Sequence, residues 1–316
     1  MSKPIASIVC SLAIAAGVSS AAAQTLTTLA SFDGTNGRNP TAGLILSGNT
    51  LYGTTYQGGA ANLGTVFSVP VTGGTPTTLA TFNNTNGANP YAGLTLSGNT
   101  LYGTTSNGGA NTLGTVFSVP VTGGTLTTLA SFNGANGAQP FAGLILSGNT
   151  LYGTTRIGGA SNVGTVFSVP VTGGTPTTLA SFDFINGAYP YAGLTLSGNT
   201  LYGTTFGGGA STVGTVFSVP VTGGTPTTLT SFNDSNGAYP QAGLILSGDT
   251  LYGTTVQGGA NLGTVFSIPV TGGTPTTLVT FNGADGAIPV AGLTISGNTL
   301  YGTTESGGAS NRGTVF

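Results

Sequence analysis

A chain of 316 residues with 57 glycines, no histidine, no tryptophan and only 3% charged side chains departs far from average domains, in which about a quarter of residues are charged. Four basic residues against six acidic ones lack the cation density on which nucleic-acid affinity depends. Without histidine, Ser-His-Asp and Cys-His catalysis and His-built zinc sites are excluded. Low charge does not make the chain disordered, because disorder couples high net charge with few apolar residues and 38% of this sequence is hydrophobic.

The chain opens as an export signal. Lys3 supplies a short positive region, Ile5 to Val18 an apolar run, and Ala21-Ala22-Ala23 a small-residue cleavage site before Gln24. The run is shorter than the roughly 20 residues of a membrane-spanning helix. Val9 before Cys10 is too large for a lipoprotein cleavage site, so lipidation is not expected. The reading is a signal peptide over 1–23 and one domain over 24–316. The mature chain then has no cysteine, no second apolar segment and no membrane span, and its expected location is secreted or at the cell surface.

From Gln24 onward the sequence repeats. Leu-Tyr-Gly-Thr-Thr starts at Leu51, Leu101, Leu151, Leu201, Leu251 and Leu300, a fifty-residue period that loses one residue at the last step. Thr-Thr-Leu-x-x-Phe from Thr27, Ala-Gly-Leu from Ala42 and Gly-Thr-Val-Phe from Gly64 recur with it. Each string is short, β-branched or aromatic, and bounded by Gly, Asn or Pro, so each reads as a strand. Gly48-Asn49 and Gly73-Gly74 mark tight hairpins. Two longer connections, 33–40 and 56–63, complete the unit. Four antiparallel strands per 50 residues predict an all-β, six-bladed β-propeller, with a β-solenoid as the alternative. The chain starts on the fourth strand type and stops on the third. The ring is therefore expected to close by pairing Leu26–Phe32 with Gly313–Phe316, covering an open edge. Earlier units continue past Val-Phe into Ser-Val-Pro-Val, so the chain stops inside a strand, as a truncated product would. Position 45 alternates as Ile45, Thr95, Ile145, Thr195, Ile245 and Thr294, which suggests growth from a two-unit block.

These four strings together resemble the bacterial tandem repeat called GloVer, over about Leu26 to Phe316. The resemblance implies export and display at the surface, and it brings no activity to any residue. Members of that family end in varied anchors, and no anchoring segment is read here.

Chemistry is sparse. The acids are Asp33, Asp183, Asp234, Asp249, Asp285 and Glu305. A glycan hydrolase or lyase could work with two carboxylates about 5 to 10 Å apart, but four of these acids fall in one loop type of different units, where Asp and Asn exchange as turn formers. Loops such as Asp33-Gly34-Thr35-Asn36-Gly37 lack the ligand spacing of calcium loops, so weak calcium binding is not favoured and no cofactor is expected. Gly58-Gly59-Ala60 lacks the lysine and helix of a phosphate loop. In an up-and-down meander the two long connections share one face, and variation between units concentrates there: Arg38, Tyr56, Tyr91, Phe141, Arg156, Phe184, Tyr191, Phe206 and Glu305. Aromatic side chains on a rigid loop face suit a glycan or protein partner. The expectation is a non-catalytic exported binding module, the alternatives being a purely structural surface or matrix protein and, remotely, the carboxylate-dependent hydrolase or lyase.

Overall fold

The computed structural model describes residues 26–316, and the export signal expected over 1–23 lies outside them. The first unit forms one antiparallel sheet from β1 (Ile45–Ser47), β2 (Thr50–Thr55), β3 (Thr65–Pro70) and β4 (Thr77–Thr81), paired in chain order. The next four units repeat it, at 95–131, 145–181, 195–231 and 245–280. The sixth holds two two-stranded ladders, Thr294–Ser296 with Thr299–Tyr301 and Thr303–Thr304 with Thr314–Val315. Among the described residues there is no helix. The protein is all-β, built of repeated four-stranded antiparallel sheets of propeller-like form.

The turn chemistry explains the first hairpin. Ser47 pairs with Thr50, and Gly48 at φ +56° takes the left-handed step that a two-residue loop requires. The second expected hairpin is wider than Gly73-Gly74 alone. Gly73 N donates to Pro70 O at 2.8 Å, closing a turn, while Gly74 N donates to Leu29 O at 2.8 Å on the strand string of the preceding unit. Pro70 and Pro76 flank this connection without amide donors, so the ladder resumes only at Ser68–Thr77. A register shift opposite Val66 and Phe67, where Leu79 has no partner, marks a bulge in β4, and it recurs opposite Val116/Phe117, Val166/Phe167, Val216/Phe217 and Val265/Phe266.

The core lies between units. One cluster joins Tyr52, Val66, Leu79 and Phe82 of the first unit to Leu94, Leu101, Phe117 and Val119 of the second. At each junction the Phe of Thr-Thr-Leu-x-x-Phe meets the Phe of the next Gly-Thr-Val-Phe edge to face. Phe82 and Phe117 lie 5.0 Å apart at 70°, and Phe132 and Phe167 4.9 Å apart at 72°. Polar bonds add register. Thr54 Oγ1 donates to Ala92 O at 3.1 Å, and Thr104 Oγ1 to Ala142 O at 3.0 Å. The alternation at position 45 also has a physical basis. Thr95 and Thr195 donate to Leu144 O and Leu244 O, whereas Ile45 and Ile145 pack on the apolar clusters.

The seam between the last and first units differs from expectation. The ladder predicted between 26–32 and 313–316 is not formed, because no backbone hydrogen bond joins these two segments. Segment 26–32 is instead seated on the first unit. Phe32 packs on Phe67 at 4.8 Å, and Leu29 O accepts from Gly74 N. Its position is satisfied from that side, so it stays in place without a lateral partner. The consequence is exposure: Val315 is 80% exposed where Val66, Val116, Val166 and Val216 are fully buried.

Gly103 sits against the flat of this core. A Cβ there would lie 2.5 Å from Phe117 Cζ and 3.1 Å from Leu94 Cδ2. Gly103→Ala is expected to destabilise the fold by about 1–3 kcal/mol through overpacking, read as a lower urea midpoint. An unchanged midpoint would contradict this packing.

Candidate functional site

The two long connections of each unit meet on one face. Arg38 and Gln57 exchange backbone hydrogen bonds at 2.7 and 3.0 Å, and bridges at Ala88–Asn107, Ala138–Ile157, Ala188–Gly207, Ala238–Gln257 and Ala287–Ser306 repeat the arrangement. The residue before each loop proline takes a left-handed conformation: Asn39, Asn89, Gln139, Tyr189, Tyr239 and Ile288 have φ between 55° and 60°. Pro90, Pro140, Pro190, Pro240 and Pro289 are buried. This kink, held by a buried ring with fixed φ, sets the direction of the residue that follows.

Those following residues are Thr41, Tyr91, Phe141, Tyr191, Gln241 and Val290, one from each unit, and together with Ala291 and Glu305 they line a single cavity of about 650 Å³. A volume of this size lies within the usual range for small-ligand sites, about 300–1,000 Å³. Its wall is chemically lopsided. Tyr91, Phe141 and Tyr191 come from three consecutive units, with ring centroids 5.3 and 6.0 Å apart. The aromatic run continues to Tyr56 at one end (6.1 Å from Tyr91) and to Phe206 and Tyr239 at the other (5.5 and 4.9 Å). Such chains of edge and tilted contacts fix ring orientation as well as burying area. The rest of the lining includes a carboxamide and a carboxylate, from Gln241 and Glu305, and the hydroxyl of Thr41, which donates to Tyr91 O at 3.3 Å.

Arg156 leans on the aromatic wall, its guanidinium carbon 5.3 Å from the Tyr191 centroid and 6.0 Å from that of Phe141, a cation–π position. Its Nη1 donates to Gln139 Oε1 at 3.1 Å. Its Nε is a buried donor with no hydrogen-bond partner.

The residues expected on the binding face therefore divide. Tyr91, Phe141, Tyr191 and Glu305 line the cavity; Tyr56, Arg156 and Phe206 back its wall. Arg38 and Phe184 do not join it. Arg38 Nη2 is bonded to Gln57 Oε1 at 2.8 Å. Phe184, at φ +68°, packs on Tyr189 and borders a separate outer depression with Ile185. Gln241, Thr41 and Tyr239 were not singled out by sequence. The signal for the first two was present, since both follow the loop proline as Tyr91 and Tyr191 do.

The acids of the 33–40 connection and its counterparts lie in its turns. Asp33 Oδ1 accepts from Thr35 N, Thr35 Oγ1 and Asn36 N at 2.7–3.0 Å, and the hydrogen bonds from Asn36 and Thr35 hold its carboxyl below the usual 3.8. Asn83, Asn133, Asp183, Asn233 and Asn282 accept from the backbone at the same place. Asp234 sits one residue further on, at φ +63°, and Asp285 accepts from Asn282 N. Among the described residues no group of three His, Cys, Asp or Glu side chains could hold a metal ion.

A family model described as "Gloeobacter/Verrucomicrobia repeat" matches residues 18–216 and 155–316. No curated protein matches the chain. Among solved structures, a putative 6-phosphogluconolactonase from Bacteroides uniformis is similar at 19% identity and TM-score 0.51, over 85% of this chain and 79% of that one. A puromycin-hydrolyzing peptidase from Mycobacterium tuberculosis is similar at 12% identity and TM-score 0.52, over 83% of this chain and 42% of that one. At these identities the likeness is one of fold.

Because asparagine takes the acceptor role in other units, Asp33→Asn should leave the urea midpoint at about pH 7 close to wild type. The lowered carboxyl stabilises the fold above the usual 3.8, and that contribution fades as pH falls through the lowered value. Any wild-type advantage should therefore be present above 3.8 and shrink as the pH is lowered beneath it. Loss of folding in the variant would show that the charge itself is required.

Proposed function

The chain belongs to the Gloeobacter/Verrucomicrobia repeat family, and for this member we propose a non-catalytic, exported binding module: a closed six-bladed propeller whose loop-face mouth takes a glycan or protein ligand. The observation that carries this reading is the convergence of six register-equivalent side chains, Thr41, Tyr91, Phe141, Tyr191, Gln241 and Val290, on one cavity. A stacked coil would string equivalent positions along a line, whereas a ring gathers them about an axis. Most of the repeat is near-identical from unit to unit, yet these six positions carry five residue types. Uniform positions serve the scaffold; the varied ones give the mouth a composition that no single unit has.

Closure is supported by the match between the two seam faces. At interior junctions the partners of Leu94 and Phe117 include Tyr52 and Val66. The first unit presents Leu29, Phe32, Leu44, Leu51 and Phe67 around an apolar depression. The last unit presents the counterparts of Tyr52 and Val66, Tyr301 and Val315, at 47% and 80% exposure. The two ends are the halves of one interface, and burying them releases the apolar surface from water. Export rests on the Lys3–Ala23 segment. The reading as non-catalytic rests on the acids of the 33–40 connection and its counterparts lying in turns, which leaves Glu305 the one carboxylate among the cavity-lining residues, short of the pair a glycan hydrolase uses.

In the interior, Val66 pairs with Ala80, so Ala30 and Val315 are the equivalent partners across the seam. Ala30→Cys with Val315→Cys is expected to form an intramolecular disulfide in the monomer, since partner Cα atoms lie within bridging range when the ladder forms. Intermolecular disulfides alone would contradict closure. For binding, immobilised glycans and cell-surface proteins are the measurement. Tyr91→Ala with Tyr191→Ala should weaken retention at least about tenfold, in the manner of aromatic anchors, with an unchanged melting curve. Retention that survives the double substitution would refute the mouth as the binding site.

A further inference from the structure

We infer that the ligand of the mouth is a neutral saccharide, with a pyranose face laid on the Tyr91–Phe141–Tyr191 wall and its hydroxyls turned to Gln241 and Glu305. This rests on the reading of the mouth as a binding site and narrows its ligand to one chemical class.

The inference follows from what the aromatic and polar parts of the lining demand together. A ligand that fills this cavity must offer apolar surface to three aromatic rings and hydrogen-bonding groups to Gln241 and Glu305 in the same lining. A pyranose does both, because its axial C–H bonds make an apolar face while its hydroxyls project round the edge. Each hydroxyl donates and accepts. It can therefore satisfy a carboxamide, which presents two donors and an acceptor, and also a carboxylate, which only accepts. The wall's rings are already fixed against one another at 85° and 40°, so little ordering entropy is lost when a flat ligand stacks on them.

Charge separates this class from its rivals. A cation would be drawn to ring faces and to Glu305, but the guanidinium of Arg156 already lies 5.3 and 6.0 Å from the Tyr191 and Phe141 centroids and would repel it from that wall. An anion would meet Glu305 as a bare carboxylate. The two charged groups occupy equivalent positions three units apart, and they leave the site without net charge. Arg156 does not line the cavity: its Nη1 donates to Gln139 Oε1 and its Nε is buried. A peptide strand needs paired amides along an edge, and the lining here offers side chains from six separate units rather than a free strand.

The experiment titrates the full chain with cellotriose, maltotriose, an oligoglucosamine, an oligogalacturonide and a polyalanine peptide. Tyrosine fluorescence serves as the readout, since the chain has no tryptophan, and melting curves check folding. A neutral trisaccharide is expected to bind with Kd below about 1 mM. Tyr191→Ala should weaken it about tenfold or more, Gln241→Ala several-fold, and Glu305→Gln by no more than about threefold, because the amide retains an acceptor. Binding confined to the oligoglucosamine and abolished by Glu305→Gln would overturn the neutral class while leaving the mouth as a binding site. Binding of the peptide alone, lost in Tyr191→Ala, would overturn the saccharide in the same way. Saccharide binding indifferent to Tyr91→Ala and Tyr191→Ala would overturn both readings. No response from any sugar up to about 10 mM would overturn the saccharide.

Discussion

The contact on which this molecule depends is the edge-to-face pair of phenylalanines between successive units. It recurs from Phe32–Phe67 to Phe281–Phe316 with centroids 4.8–5.0 Å apart. A four-stranded sheet of fifty residues is too small to bury its own faces. Here each sheet completes its neighbour instead, with one ring just past the fourth strand of a unit and one from the third strand of the next, as in Phe82 and Phe117. The hydroxyl-to-carbonyl bond of the Thr54–Ala92 type fixes the register that apolar packing alone leaves loose. The same pair at every junction gives each unit the same contact with the next, and in the proposed ring that repeated contact is what turns the array about an axis and gathers the cavity at its mouth.

A second device turns the bend into a site. The loop proline and its left-handed predecessor direct one side chain per unit toward the cavity, whatever that side chain is. The scaffold thus tolerates Tyr, Phe, Gln, Thr or Val there with the same backbone. Ile288 and Tyr189 hold left-handed angles of 60° and 58° that bulky residues rarely adopt, which shows how strongly the buried proline and its bridge determine the loop.

Much of this was legible in the sequence, for a definite reason. Strand strings, Gly-Asn turns and the fifty-residue period are local signals, and near-identical units report them six times over. The common face of the two long loops followed from meander topology alone. The convergence on one cavity did not, because it depends on the angle between units, which no string encodes. Reading by residue character found Tyr91, Phe141, Tyr191 and Glu305, passed over Thr41 and Gln241 beside the same proline, and included Arg38 and Phe184, whose side chains are engaged elsewhere. The closing ladder was inferred from the order of strand types. Segment 26–32, expected as the outer strand of the sixth unit, is seated on the first unit instead, and its hydrogen-bonding edge is not joined to Gly313–Phe316. Order along the chain identifies which edges are complementary, while joining them requires the array to turn through the whole circle.

That turn is the central claim, and the distance between the first and last units tests it most directly. Spin labels at Thr41 and Val290 report it, with labels at Tyr91 and Phe141 as the adjacent-unit reference. A ring predicts a distance distribution for the first pair that overlaps the reference. A distribution several-fold longer, growing with the number of units between labels, would mean a coil and would contradict the account.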